Sequence, residues 1–149
     1  MRKHVLATVL WCVSFILLFV GGVAGAVEEK PFAEKKVVLQ ISDPNPFKQS
    51  LVLNVAGNLL KEYGPDVVDI EIVAFGPGLR LMFADNANAD RLGNLAASGV
   101  RFSACTNTMK KMTKALGKKP VLNNHVTSVE PGVVTILELV EKGYVLVKP

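Results

Sequence analysis

Between Val37 and Val147 the sequence repeatedly changes period: short, nearly continuous apolar runs alternate with longer stretches whose apolar residues recur at helical spacing. An apolar run without alternation suits a strand buried on both faces, and the longer spacing marks one side of a helix. Val37-Val-Leu-Gln-Ile41 is the first run, broken by Ser42-Asp-Pro-Asn-Pro46. Asn45 is a good N-cap with Pro46 in the first helical position, and Phe47, Leu51, Val55 and Leu59 follow until Gly64-Pro65 closes the helix. The unit then recurs. A strand over Val67–Phe75 ends in the turn Gly76-Pro77-Gly78, and a broken helical stretch runs from Leu79 to Ser98, interrupted at Asp85-Asn-Ala-Asn88 and stopped by Gly99. Val100–Ala104 reads as the third strand and Asn107–Leu116 as the third helix, and Val121–Val129 holds a fourth strand after an Asn123-Asn124 turn. Pro131-Gly132 opens a last helix that ends at Gly143, and Tyr144–Val147 is the last strand.

Parallel neighbours need a crossover, and the crossover is a helix, so this alternation predicts an α/β domain. The expected architecture is a three-layer α/β/α sandwich with a mainly parallel sheet of about five strands. Right-handed crossovers put the carboxyl ends of the strands on one edge, where ligands bind in open sheets of this kind. That edge would gather Ser42 to Asn45, Gly76 to Gly78, Cys105 to Asn107 and Ser128 to Glu130.

What precedes the domain reads differently. Arg2, Lys3 and His4 lead into an almost wholly apolar stretch, Val5 to Val20, and Ala24-Gly-Ala26 supplies small residues at the spacing a signal peptidase reads. Residues 1–26 are therefore expected to be a signal peptide, residues 27–36 a solvated linker rich in Glu and Lys, and residues 37–149 the domain. The expected location is outside the cytoplasm, in a periplasm. The alternative is an uncleaved anchor, since Val5 to Val27 carries no charge and is long enough to span a bilayer. Cys12 follows bulky Trp11 inside the apolar run and does not read as a lipoprotein site. Losing Arg2 and Lys3 with the leader lowers the formal charge from +4 to +2, which gives no ground for a nucleic-acid partner. Losing Cys12 leaves Cys105 as the one thiol, so no disulfide can form within the chain.

An unpaired cysteine in an exported protein is buried, joined to another chain, or used. Cys105 stands where an apolar run gives way to a helix, and the first turn of a helix has unpaired N–H groups and a positive dipole end. Such a place favours thiolate over thiol and makes the sulfur a nucleophile near neutral pH. The plainer alternative is a small core residue between Ala104 and Thr106. Gly76-Pro77-Gly78 lacks the spacing of a dinucleotide or phosphate loop, which leaves a tight turn or one wall of a pocket. Lys110, Lys111, Lys114, Lys118 and Lys119 form either a solvated face or a field that draws anions toward Cys105. His125 precedes the fourth strand, at the edge opposite Cys105, so neither a Cys–His pair nor a closed zinc site is expected. Asp43 and Glu130 are the acidic candidates on the functional edge; each has a structural alternative as a turn or first-turn residue.

On three stretches the chain resembles the DsrE-like family of sulfur-relay proteins, in particular its small single-domain exported members. They are Gly76-Pro-Gly-Leu-Arg-Leu81, Val100-Arg-Phe-Ser-Ala-Cys-Thr-Asn-Thr-Met109, and Gly132-Val-Val-Thr-Ile-Leu-Glu-Leu-Val-Glu-Lys-Gly-Tyr144 leading to Lys148-Pro149. Cys105, Asn107 and Thr108 match a Cys-x-Asn-Thr segment common among relatives. The resemblance implies a homo-oligomer or a related hetero-oligomer in which the cysteine carries a persulfide and passes its outer sulfur to a partner. On this reading Cys105 is the catalytic residue of a sulfur carrier or sulfurtransferase. Thr106, Asn107 and Thr108 line the site, together with Asp43, Asn45, Gly76, Gly78 and Glu130 from the same edge. The partners are sulfur donor and acceptor proteins or small sulfur species, with no metal or organic cofactor required. The alternative is a non-catalytic binding or assembly module of the same fold, and a flavin-binding reading of the architecture stands third.

Overall fold

The computed structural model describes residues 28–149, so the leader, Cys12 and Val27 lie outside the described residues. Its five strands are β1 (Lys35–Ile41), β2 (Val68–Ala74), β3 (Arg101–Cys105), β4 (Val126–Val129) and β5 (Val145–Val147). They form one sheet in the order β4-β3-β2-β1-β5, and every neighbouring pair is parallel. The helices are α1 (Pro46–Tyr63), α2 (Ala89–Ala97), α3 (Thr106–Leu116) and α4 (Gly132–Glu141), with a 3₁₀ helix at Gly76–Met82. Among the described residues, no helix is long and apolar enough to cross a membrane.

Because side chains alternate along a strand, the sheet has two unlike faces. Leu39 and Ile41 of β1, Ile70 and Ile72 of β2 and Phe102 and Ala104 of β3 meet Val52, Leu53 and Ala56 of α1, Leu92 of α2 and Met109 of α3. The 3₁₀ helix adds Leu79, Leu81 and Met82 to the same core. Across the sheet, a smaller cluster joins Val38 of β1 and Val73 of β2 to Ile136 and Leu139 of α4 and to Tyr144. The result is the expected three-layer α/β/α arrangement, with α1–α3 on one side and α4 on the other.

Two local expectations change. β1 begins at Lys35 rather than Val37, because the Lys35 N–H donates to the Val67 carbonyl and extends the ladder. The chain just ahead of it is held to the domain as well: the Lys30 N–H donates to Asp69 Oδ2 at 2.9 Å, and Glu28 O accepts from Arg101 Nη1 at 3.3 Å. The fourth strand, Val126–Val129, follows the turn at Asn123 as expected, with Asn123 Oδ1 accepting from the His125 N–H and its carbonyl from that of Val126. Leu122 makes an isolated antiparallel bridge to Phe83. The broken helical stretch resolves into the 3₁₀ helix and α2, separated by a turn in which Asn86 Oδ1 accepts from the Asn88 N–H.

Candidate functional site

The strand order determines where an opening must lie. The chain steps from β1 to β4 in one direction, with its crossover helices on one face, and then returns over β3, β2 and β1 to reach β5. Right-handed crossovers place that return helix, α4, on the other face. Two adjacent strands, β3 and β4, therefore send their following helices to opposite sides, and the crevice between their carboxyl ends is the switch point at which such sheets bind ligands. Cys105 is the last residue of β3, in register with Val129 of β4, which places it at the carboxyl ends of those two strands.

Both departing helices begin beside it. The N–H groups of Asn107 and Thr108 from α3 and of Gly132 from α4, with the Thr108 hydroxyl, favour the anionic sulfur, while the Cys105 side chain makes no capping hydrogen bond to α3. Burial pushes the Cys105 thiol up, but these groups outweigh it and hold the thiol below its ordinary value. Thr108 is fixed from behind, since its Oγ1 accepts the Gly76 N–H at 2.9 Å, and its hydroxyl proton remains uncommitted. Gly76 supplies that N–H from a left-handed conformation, φ 53°. Gly132 packs closely against the site: a Cβ there would lie 3.3 Å from the Cβ atoms of Cys105 and Phe75. Cys105 itself is 5% exposed, so the sulfur is covered.

The structure brings together Cys105, Thr108, Gly76 and the backbone of Asn107. It does not bring the other expected residues to the sulfur. The Asn107 side chain is exposed. Thr106 Oγ1 is buried without a hydrogen-bond partner, and Thr106 lines a separate cavity with Met109, Lys110 and Ser128. Gly78 serves packing, since a Cβ there would fall 2.7 Å from the Ile41 carbonyl oxygen. Asp43 and Asn45 shape the start of α1: Asp43 Oδ1 accepts from the Asn45 N–H and Asn45 Oδ1 from the Phe47 N–H. Glu130 is exposed in the turn leading to α4. Gly132 and Phe75 were missing from the expected site, and the signal that could have found Gly132 is topological: the helix after β4 had to begin beside Cys105.

A second polar group was also missed. Arg101, Asp69, Glu71, Ser103 and Tyr144 are all buried on the α4 face, toward the end of β3 away from Cys105. Arg101 bridges Asp69 at 2.8 Å and Glu71 at 3.0 Å, Ser103 donates to Glu71 at 2.6 Å, and Tyr144 donates to Asp69 at 2.5 Å. Burial works against the Arg101 charge, but Tyr144, Asp69 and Glu71 outweigh it and hold the guanidinium above its ordinary pKa. Burial and the bond to Asp69 push the Tyr144 hydroxyl up to about 12. The sequence signal was the two-residue spacing of Asp69 and Glu71 inside an apolar strand, which puts both on one face. His125 lies at that end of the sheet, in a pocket with Glu71 and Arg101 and away from Cys105. Among the described residues, no three or more His, Cys, Asp or Glu side chains are grouped to hold a metal ion.

No protein-family model and no curated protein matches the chain. Among solved structures, the chain is similar to a protein of unknown function, MTH1491, from Methanobacterium thermoautotrophicum. The two share 28% sequence identity with a TM-score of 0.69, over 77% of this chain and 99% of that one. The likeness supports the α/β architecture described above.

Proposed function

We propose that the protein carries sulfane sulfur on Cys105, in the manner its resemblance to the DsrE-like family suggests. In the loading step the Cys105 thiolate attacks the outer sulfur of a donor persulfide. A new S–S bond forms, the donor's S–S bond breaks, and the donor leaves as a thiolate; no net oxidant is needed. In unloading, an acceptor thiolate takes the outer sulfur and Cys105 returns to thiolate. The observation that carries this reading is the place of Cys105 where two helices begin, with first-turn groups of both lowering its pKa in spite of burial. Donors that favour a thiolate also favour an anionic persulfide. The partners are donor and acceptor proteins or small sulfur species, and the setting is the periplasm if residues 1–26 direct export.

The test is mass spectrometry of the purified protein after incubation with polysulfide. The expected result is a gain of one sulfur atom on Cys105, absent in Cys105→Ser. No gain, or equal gain in the variant, would sink the proposal.

A second reading, a non-catalytic assembly module that forms homo-oligomers, draws on two observations. Cys105 is 5% exposed, and Val133, Leu137 and Val140 of α4 are exposed, as are Val145–Val147 of edge strand β5. Apolar side chains on a helix and an adjoining sheet edge suit contact with another copy. If iodoacetamide labels Cys105 only after unfolding, this reading replaces the first.

A further inference from the structure

A cavity of about 640 Å³ touches none of the groups around Cys105. It lies on the α1–α3 face, where the exit of α3 meets the start of α1 and the segment that follows the 3₁₀ helix. Its volume falls within the roughly 300–1,000 Å³ range of small-molecule sites.

Its lining is charged in one sense. Arg80, Lys118 and Lys119 line it, and Asp85 is the one acidic residue to do so. The ion pairs among the described residues are those of Arg101 and Lys142, so these three cations have no carboxylate partner. Phe83, Leu116 and Val121 supply apolar surface beside them. The cavity also contains a polar group that is not on the surface: Gln49, 4% exposed, is among its lining residues. Gln49 Nε2 donates to the Pro44 carbonyl at 3.3 Å, and its Oε1 accepts from Asn86 Nδ2 at 3.1 Å. A primary amide has two N–H groups and two lone pairs, so one of each is left uncommitted.

The walls are held by backbone bonds as well. The Ala84 N–H donates to Val121 O and the Asn123 N–H to Met82 O, each at 2.9 Å, joining the segment after the 3₁₀ helix to the loop after α3. Asn86 Nδ2 also donates to the Arg80 carbonyl at 2.9 Å, tying the Gln49 amide to the backbone of a cationic residue.

We infer that this cavity binds a small amphipathic organic anion: a carboxylate, sulfonate or phosphate head on an apolar body. The head group relieves the mutual repulsion of Arg80, Lys118 and Lys119. The body covers Phe83, Leu116 and Val121, and the free N–H of Gln49 is available to a polar atom of the ligand. The proposal goes beyond the sulfur-carrier reading and is independent of Cys105.

The test is a titration of the purified protein with naphthalene-1-sulfonate, followed by amide NMR. The expected result is saturable shifts of the Gln49 and Asn86 side-chain amides. Binding should weaken by roughly tenfold or more in the surface double variant Arg80→Ala/Lys119→Ala, the scale of one charge-assisted contact. The uncharged analogue 1-naphthol should bind weaker by a similar factor, and Leu137→Ser on α4 should leave the affinity unchanged. Shifts centred on α4 and β5, equal affinity for the neutral analogue, an unaffected double variant, or no saturable binding would each overturn the proposal. A thermal melt of each variant separates lost binding from lost folding.

Discussion

The two ends of β3 bury polar chemistry on the same face of the sheet and handle it in opposite ways. At one end, the charge of Arg101 is matched by Asp69 and Glu71, and Ser103 and Tyr144 complete the hydrogen bonds. At the other, Cys105 is offered N–H groups and a hydroxyl, and the salt bridges of the described residues lie elsewhere. A network whose charges are paired within the fold holds strands together. A cluster of donors aimed at a group that is neutral when protonated has its full effect only once that group becomes an anion. The comparison assigns structure to the Arg101 end and chemistry to the Cys105 end.

The largest test of that contrast is Arg101→Leu. Removing one member of a buried ionic cluster leaves uncompensated charge, and the expected loss is about 3–5 kcal/mol of unfolding free energy in urea. Replacing Arg101, Asp69 and Glu71 together by apolar residues of similar size should recover most of it. A stable Arg101→Leu single variant would break the contrast from one side.

Thr108→Val attacks it from the other. The hydroxyl lost is one donor to an anion, worth about 1.5–3 kcal/mol when buried, so iodoacetamide labelling of the native protein near neutral pH should slow by roughly tenfold. Stability to urea at low pH, where the sulfur is protonated, should change less. Equal loss of stability at every pH would make Thr108 a packing residue.

A smaller effect appears in stability against pH. The folded thiol titrates below the unfolded one, so the thiolate's contribution is fully present above the unfolded value of about 8.5 and is lost as pH falls through the lower folded value. Unfolding free energy should therefore rise with pH across that window, and Cys105→Ser should lack this rise. The smallest effect is expected from Glu29→Gln, which breaks an exposed ion pair with Lys142 and should cost under about 1 kcal/mol, less at high salt.

Much of this was legible in the sequence because it is local. The N-cap at Asn45, the stop at Gly117 and the placing of Cys105 between an apolar run and a helix each follow from a few neighbouring residues. What was not legible depends on residues far apart in the chain. Gly132 reaches Cys105 only because α4 crosses to the opposite face, a consequence of strand order that periodicity does not encode. Asp69 and Glu71 stand in an otherwise apolar strand, and their partners Arg101 and Tyr144 come from later elements. The bridge of Leu122 to Phe83 has the same origin, since it joins the loop after α3 to the segment after the 3₁₀ helix.

The central claim is that the first turns of α3 and α4 stabilise a negative sulfur in spite of its burial. It is tested most directly by titrating the ultraviolet absorbance of the thiolate, taken as the difference between the protein and its Cys105→Ser variant, folded and then in denaturant. The account predicts a folded midpoint below the unfolded one. A folded midpoint at or above the unfolded value would mean that desolvation outweighs the amides, and Cys105 would then be an ordinary core residue.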